Sequence, residues 1–219
     1  MSKWSIYIAD DQTLFRKGMA RLVKSFQFTS EIKEAANGKE MLALVADQQP
    51  DAILMDLDMP VMDGIEATEK ILTKYPDVKV IILTSHSEHQ HVLYLMEVGA
   101  HAFLLKNADP DEVKEAIESV ITKDFYQNEL VVEAMRKGIV ENRKQKLSRP
   151  LFDNQITLTD REKEILTLIC RELTMKEISD KLSLSEKTIH NHRARIMEKV
   201  GAKNTVGLVK YAFESGLIS

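Results

Sequence analysis

Five polar residues stand at the ends of short apolar runs in the sequence: Asp10, Asp11, Asp56, Thr84 and Lys106. The run before Asp56, Ala-Ile-Leu-Met, has no polar alternation, which is typical of a parallel strand that is buried on both faces. In open parallel sheets, ligands bind outside the carboxyl ends of the strands. The pattern therefore predicts three acids, a hydroxyl and an amine at one edge of a sheet.

Carboxylates that lie this close together repel one another unless a cation joins them. The repulsion is about 1 kcal/mol at ~4 Å in water and several times larger at the effective dielectric of a protein. Mg²⁺ fits such a site because it prefers oxygen ligands and keeps positions open for phosphate oxygens. Asp56 could then attack a phosphoryl group to form an acyl phosphate, while Lys106 neutralises its oxygens and Thr84 donates a hydrogen bond. Taken alone, Asp56 could also be a residue that only caps the turn at Pro60.

Strand-like and helical patterns alternate through residues 6–121 and would hold these side chains in place. The strand-like runs lie at 6–9, 31–35, 52–56, 78–83 and 102–105. Apolar residues at helical spacing follow each run, such as Leu14, Phe15 and Met19 after the first, and Pro110 begins the last helix. Five such units predict a doubly wound parallel α/β sheet with right-handed crossovers.

The last third of the sequence has a different character. Residues 141–150 are charged and end at a proline, so a boundary is expected there, after one more predicted helix near Leu130. From residue 158 onward the pattern is helical, and the segments 159–162 and 174–177 match the capping box that begins a helix. Ser185 caps a third helix that Gly201 ends, and a fourth is expected over 206–214.

The third of these helices has two contrasting sides. On a helical wheel, Ile189, Ile196 and Val200 fall together and predict the buried side. The opposite side carries Lys187, His190, Asn191, Ala194 and Arg195. A polar face after a tight turn suits the DNA major groove, where Asn pairs with adenine and Arg with guanine. Such a face would also suit plain solvent contact, and the two capped helices before it favour the DNA interpretation.

Composition is that of an ordinary globular chain of 219 residues, with 44% hydrophobic and 29% charged residues. Residues 1–156 carry a net charge of −6 and residues 157–219 a net charge of +2, so an acidic module precedes a mildly basic one. No apolar run approaches the ~18 residues of a membrane span, and the start lacks a signal-peptide core. The single Cys170 is interpreted as a buried structural thiol. We therefore expect a cytoplasmic protein without membrane contact.

A known family shares the pattern of the first module. The sequence resembles the receiver domain of two-component response regulators over residues 3–122, in the Asp10-Asp11 pair, the stretch 55–60, Asp63-Gly64, Thr84 and Lys106. The resemblance implies a receiver domain at 1–123 with the flavodoxin-like strand order 2-1-3-4-5. It also implies that a sensor histidine kinase phosphorylates Asp56, and that self-phosphorylation and its reversal are the only catalysis.

The resemblance assigns roles to further residues. The implied Mg²⁺ ligands are Asp11 and Asp56 directly, Asp58 through its backbone carbonyl, and Asp10 through water. Phe103 would be the switch aromatic, which turns inward when Thr84 is drawn toward the phosphoryl group, although it could be a plain core residue as well. Asn107 stands where many receivers have proline, which leaves the loop geometry open but not the role of Lys106.

The helical segment resembles the LuxR-type helix-turn-helix domain over residues 155–218, and the whole chain resembles a NarL/FixJ-type response regulator. This implies a linker with a helix at 124–154, a four-helix DNA-binding domain at 155–219 and a recognition helix at 186–199. The implied DNA contacts are phosphates for Lys187, Thr188 and Arg195, and base edges for His190, Asn191 and Ala194.

Two structural features of this second module also follow from the resemblance. Glu162 and Arg193 lie where the family often has an ion pair. The fourth helix carries the apolar residues Val206, Val209, Tyr211 and Phe213. We expect it to pair with a second copy, giving a homodimer on double-stranded DNA. Phosphorylation would then act by shifting the population toward the form that binds DNA.

Two other functions remain open from the sequence. Asp56-Leu57-Asp58 resembles the paired acids of aspartate-nucleophile phosphatases, although Pro60 stands where those enzymes usually have Thr or Val. A chain with a vestigial receiver would bind DNA regardless of Asp56.

A cluster of three histidines follows Thr84. His86, His89 and His91 could ligate Zn²⁺, but their spacing fits a solvated helix start better. His86 lies two residues after Thr84 and could influence hydrolysis of the acyl phosphate.

Overall fold

The chain forms two compact units, and the computed structural model describes residues 3–85, 89–129, 131–133, 136, 158–202 and 204–218. The hypotheses on His86 and on the side chains of His89 and His91 lie outside this description. So do most of the predicted linker, residues 137–154, and the first three residues of the predicted DNA-binding domain, residues 155–157. Of the helix predicted near Leu130, residues 129, 131–133 and 136 are helical, and Leu130 itself is not described.

A parallel five-stranded sheet organises the first half of the chain. Its strands are β1 Trp4–Ala9, β2 Thr29–Ala35, β3 Ala52–Asp56, β4 Lys79–Thr84 and β5 Ala102–Leu105. The helices that follow them are α1 Thr13–Ser25, α2 Gly38–Asp47, α3 Gly64–Lys74, α4 His89–Val98 and α5 Pro110–Lys123. The strand order is β2-β1-β3-β4-β5, so the predicted fold class and order are confirmed.

The register of the sheet brings the predicted polar residues to one edge. The residue pairs at this edge are Ala9 with Met55, Asp56 with Leu83, and Thr84 with Leu105. Asp10 follows β1 directly and Lys106 follows β5 directly. Because the strands are parallel, all of these chain positions lie at the carboxyl end of the sheet.

Burial of the central strands makes this edge rigid. Every residue of β3 is buried, as its unbroken apolar sequence predicts. One face of the sheet packs on α1 and α5 through a cluster that includes Ile6, Leu54, Ile81, Leu104, Val23, Val113, Ile117 and Val120. Apolar surface removed from water contributes about 25 cal/mol per Å². Packing of this apolar core therefore holds the ends of the strands in place.

Residues 124–128, which we name the α5 extension, lie along β5. The backbone N–H of Tyr126 donates to the carbonyl of His101 (3.1 Å), and the side-chain amide of Asn128 donates to the carbonyl of Phe103 (2.9 Å). The same amide donates to Glu112 of α5 (3.1 Å), and Phe125 is buried. The sequence predicts this stretch only as the start of a linker.

Four helices make up the described part of the last segment: α6 Asp160–Cys170, α7 Met175–Leu182, α8 Glu186–Val200 and α9 Thr205–Glu214. Both predicted capping boxes are present, from Thr159 to Glu162 and from Thr174 to Glu177. Ser185 caps α8, and Gly201 ends it with a φ of 69°. The four-helix prediction is confirmed. Each helix begins at a residue whose side chain accepts a hydrogen bond from one of the free backbone amides of the first turn. Among the described helices, none has both the length and the apolar character that crossing a bilayer requires.

The contact between Gly64 and β3 generates the first prediction. A Cβ on Gly64 would lie 2.0 Å from the backbone oxygen of Asp56, which cannot swing aside. Gly64→Ala should therefore displace this loop and lower the free energy of unfolding by about 1 to 3 kcal/mol. Urea unfolding followed by the fluorescence of Trp4, the single tryptophan, measures this.

Gly18 in α1 is the matched control, because nothing lies within 4 Å of a Cβ built there. Gly18→Ala should stabilise the helix by about 0.5 to 1 kcal/mol. Equal destabilisation by the two substitutions would contradict the role given to Gly64.

An ion pair in the helical unit generates the second prediction. The carboxylate of Glu162, 5% exposed, accepts from Lys199 Nζ (2.7 Å) and from the N–H of Thr159 (2.8 Å). The hydrogen bond from Lys199, followed by that from Thr159, lowers the pKa of Glu162. A carboxyl group with a lowered pKa stabilises the fold above its unfolded pKa, and this contribution is lost as pH falls through the folded pKa.

Lys199→Met should therefore cost up to about 1 kcal/mol of stability at pH 7. The difference from the wild type should vanish in acid, once Glu162 is protonated in both proteins. Hydrogen exchange of the α6 and α8 amides against pH measures it. Lys163→Met serves as control, since Lys163 is half exposed and lies 4.0 Å from Asp160. If Lys199→Met costs the same stability at pH 3 as at pH 7, the ion pair with Glu162 does not stabilise the fold.

Candidate functional site

Three carboxylates meet at the carboxyl edge of the sheet. Oxygens of Asp10, Asp11 and Asp56 lie within 4.8 Å of one another. Asp10 is fully buried and Asp56 is 1% exposed, whereas Asp11 is open to solvent. The cluster forms because β1 and β3 are hydrogen-bonded neighbours. The structure thus brings together the acids that the sequence places at the ends of two separate runs.

Lys106 reaches this cluster from β5. Its ammonium group lies 2.8 Å from Oδ2 of Asp10 and 2.8 Å from Oδ2 of Asp56. The backbone N–H of Lys106 donates to the carbonyl of Thr84 (2.8 Å), which fixes the start of the lysine side chain relative to β4. One cation therefore joins two buried acids whose strands do not pair with β5.

The charges at this site are unbalanced. Burial raises the pKa of Asp56, and the hydrogen bond and positive charge of Lys106 only partly oppose that rise. Burial lowers the pKa of Lys106, but its hydrogen bonds to Asp10 and Asp56 outweigh this and leave the pKa raised. Three carboxylates with one ammonium favour a further cation. Their oxygens are the ligands that Mg²⁺ prefers, so the residues fit that metal.

Asp10 is held by more contacts than Asp11. Its Oδ1 accepts from the N–H of Gln12 (2.7 Å), and its Oδ2 faces Lys106. Its backbone carbonyl accepts from Arg16, whose Nε lies 3.3 Å from Glu34. Oδ2 of Asp10 is buried and, beside its ion pair with Lys106, accepts no hydrogen bond from the described residues, so it suits contact with a metal ion or with water bound to one. Sequence reasoning missed Arg16 and Glu34, since nothing in their spacing signals contact between α1 and β2.

The loop from β3 to α3 is tightly constrained. The N–H of Met62 donates to the carbonyl of Pro60 (2.8 Å), and Val61 between them has a φ of 71°. This three-residue turn is strained for a β-branched residue. The N–H of Gly38 donates to the carbonyl of Met62 (3.0 Å), which holds the turn. Asp58, whose backbone carbonyl is the implied metal ligand, is exposed in this loop.

Thr84 and Phe103 occupy the positions that the sequence predicts. Thr84 ends β4 and is 4% exposed, and Phe103 is 1% exposed in β5. Phe103 therefore belongs to the core in this structure, and its role as a switch aromatic stays a prediction. The ring of Phe15 in α1 is a further neighbour of the site, with its centroid 5.1 Å from the ammonium of Lys106. The helical pattern marked Phe15 only as a core residue.

Helix α8 presents a polar face in the helical unit. Ile189 and Ile196 are fully buried, whereas Val200 is only half-buried. The exposed residues are Lys187, His190, Asn191, Ala194 and Arg195. Thr188 is half-buried, and its hydroxyl lies 2.7 Å from that of the helix cap Ser185. Ser183 has a φ of 53°, so the turn before α8 is tight. Five of the six predicted contact residues are thus accessible on one helix.

One expectation for this unit requires correction, and the pairing of α9 with a second copy stays a prediction. Glu162 pairs with Lys199 rather than with Arg193, which donates instead to the hydroxyl of Thr205 (2.8 Å). Thr205 is the first residue of α9, so Arg193 links α8 to α9. On α9, Val206 and Val209 are buried within the unit, whereas Tyr211 and Phe213 are partly exposed. The apolar surface left for a second copy is therefore smaller than predicted.

Family comparisons match both halves of the chain. Residues 6–118 match the response regulator receiver domain, and residues 156–212 match the bacterial regulatory proteins of the luxR family. The oxygen regulatory protein NreC of Staphylococcus carnosus (strain TM300) is 34% identical over 215 residues, which cover 97% of this chain and 98% of that protein. An uncharacterized transcriptional regulatory protein of Bacillus subtilis (strain 168), YhcZ, is 32% identical over 97% of this chain and 96% of its own length.

A solved structure extends the likeness over the full length. The response regulator ChrA of a heme-sensing two-component system is 26% identical, with a TM-score of 0.52 and complete coverage of both chains. Together with the five-stranded sheet, the acidic edge and the capped helices, these matches determine the family. The chain belongs to the response regulators that join a receiver domain to a LuxR-type DNA-binding domain.

Proposed function

We propose that Asp56 accepts a phosphoryl group from a sensor histidine kinase and that this modification controls binding of residues 155–219 to specific double-stranded DNA. The observation that carries the proposal is the grouping of Asp10, Asp11, Asp56 and Lys106 at one sheet edge. In this proposal residues 1–123 are the receiver domain and residues 124–154 the linker. The chain acts in the cytoplasm, where its DNA is, and catalyses only its own phosphorylation and dephosphorylation.

The residues at the sheet edge divide the chemistry among them. A carboxylate oxygen of Asp56 attacks phosphorus, and the bond from phosphorus to the donor breaks as the new oxygen–phosphorus bond forms. Lys106 neutralises the phosphoryl oxygens, and Thr84 donates a hydrogen bond to one of them. Mg²⁺ would be held by Asp11 and Asp56, by the carbonyl of Asp58, and by Asp10 through water, and would supply further positive charge to the phosphoryl oxygens.

Two exposed apolar residues on segments that follow the site acids support a protein as the phosphoryl donor. Leu14 lies three residues after Asp11 in the sequence, and its side chain is 89% exposed. Val61 lies five residues after Asp56 and is 79% exposed. Exposed apolar side chains on the segments that follow Asp11 and Asp56 suit contact with a folded partner.

The polar face of α8 supports the DNA-binding half of the proposal. Asn191, His190 and Ala194 read base edges in the major groove, and Lys187, Thr188 and Arg195 contact phosphates. Phosphorylation shifts the population toward the form that binds DNA. A homodimer forms through the exposed parts of Tyr211 and Phe213 on α9, together with contacts made by the DNA half-sites.

The decisive experiment is incubation of the protein with acetyl phosphate and Mg²⁺, followed by intact mass and DNA-binding measurements. We expect a gain of about 80 Da, one phosphoryl group, together with tighter DNA binding. Asp56→Asn should abolish both, whereas the control Asp77→Asn, an exposed acid at the other end of the sheet, should keep both.

Three outcomes would contradict the proposal. No mass gain with any phosphodonor would remove Asp56 as the acceptor. Continuous release of phosphate from a small phosphoester would favour the phosphohydrolase. DNA affinity that is the same in the wild type and in Asp56→Asn under phosphorylating conditions would favour a constitutive DNA-binding protein.

The two kinds of DNA contact differ in a measurable way. Asn191→Ala should cost about 1 to 3 kcal/mol on a specific site and little on random DNA, because it removes base recognition. Lys187→Ala should weaken both alike and reduce the slope of log K against log salt by about one, because it removes one phosphate contact. Fluorescence anisotropy with a selected site and a scrambled site measures both. Equal losses on the two DNAs for Asn191→Ala would show that Asn191 reads no base.

A further inference from the structure

Among the described residues, the ammonium group of Lys106 makes two ion pairs and one contact with an aromatic ring. The ion pairs are with the carboxylates of Asp10 and Asp56, each at 2.8 Å, and the ring is that of Phe15, whose centroid lies at 5.1 Å. A cation within about 6 Å of a ring centroid is attracted by the negative face of the ring. The side chain of Lys106 is only 11% exposed, so this attraction is not fully screened by water.

The two kinds of neighbour respond differently to a divalent cation. Asp10 and Asp56 belong to the acidic cluster, and their charges are the ones that a bound cation would neutralise. Their hold on the ammonium of Lys106 must then weaken. The ring of Phe15 has no oxygen that could bind the divalent cation. Its attraction to the ammonium of Lys106 therefore does not weaken when the cation binds.

We propose that Phe15 is a positioning residue for phosphoryl transfer: its ring holds the ammonium of Lys106 at the acceptor site when the acids are engaged by a divalent cation. The inference rests on the proposed function and adds a residue from α1 to it. Phe15 is half-buried and packs against the core formed by α1, α5 and the sheet. Its position is therefore fixed by packing, and the ring is available before any ligand binds.

A double-mutant cycle separates positioning from plain packing. Phe15→Leu keeps an apolar side chain but removes the ring, and Lys106→Met removes the cation. If the ring holds the ammonium, the effect of Phe15→Leu on the unfolding equilibrium should be about two- to tenfold smaller in the Lys106→Met background. Additive effects would mean that Phe15 only packs, and would overturn the inference. Phe26→Leu is the control, because the ring of Phe26 packs on that of Phe28, with 5.4 Å between the ring centroids. This substitution should show no coupling to Lys106→Met.

Nuclear magnetic resonance of ¹³C-lysine-labelled full-length protein gives a direct readout that does not depend on activity. The ε-methylene signal of Lys106 should carry an upfield ring-current shift in the wild type and lose it in Phe15→Leu. The shift should persist when Mg²⁺ is added. Its disappearance with Mg²⁺ would overturn the proposal that the ring keeps the ammonium in place.

The rate of phosphorylation by acetyl phosphate tests the functional consequence. We expect Phe15→Leu to reduce the rate by about three- to tenfold and Phe15→Trp, which keeps an aromatic face, to restore most of it. Equal rates in the wild type and Phe15→Leu would overturn the inference while leaving Asp56 as the acceptor. If the wild type accepts no phosphoryl group, the proposed function fails, and the cycle and the lysine signal still decide whether Phe15 holds Lys106.

Discussion

The first half of this protein depends on one electrostatic constraint: two buried carboxylates are joined by a single buried ammonium. Neither Asp10 nor Asp56 can be solvated at its position, and the bridge from Lys106 provides the nearest opposite charge. Parallel strands make the bridge geometrically available, because β1, β3 and β5 end at the same edge. One positive charge cannot balance three acids, so the folded site favours binding of additional positive charge.

The residues of this site were predictable where they follow strands. The unbroken apolar run before Asp56 indicates a strand buried on both faces, and the structure buries all of it. Likewise the alternating pattern predicts the order of elements, and the resemblance supplies the order of strands. The bounds were less certain: β1 begins at Trp4 and β2 at Thr29, each two residues before the strand-like run that predicted it. The first residues of both strands are only partly buried, so their side chains need not be apolar and the sequence predicts the start of a strand less clearly than its centre.

Contacts between elements that are distant in sequence were not predictable. No periodicity shows that Arg16 of α1 contacts Asp10 and Glu34, or that the ring of Phe15 lies beside Lys106. In the helical unit the caps were predictable because each depends on four consecutive residues. The partner of Glu162 was not, since Arg193 and Lys199 lie on the same helix and the choice between them depends on the exact packing of α6 against α8.

The α5 extension has a consequence for how this sheet can associate with other chains. An open sheet leaves one row of backbone donors and acceptors at each end, and such rows recruit foreign strands. Here Tyr126 and Asn128 already occupy carbonyls along β5. Intermolecular β-pairing is thereby directed to the opposite end, at β2. That strand carries Glu31, Lys33 and Glu34, whose charges discourage a neighbour from docking edge to edge and so protect the protein from aggregation.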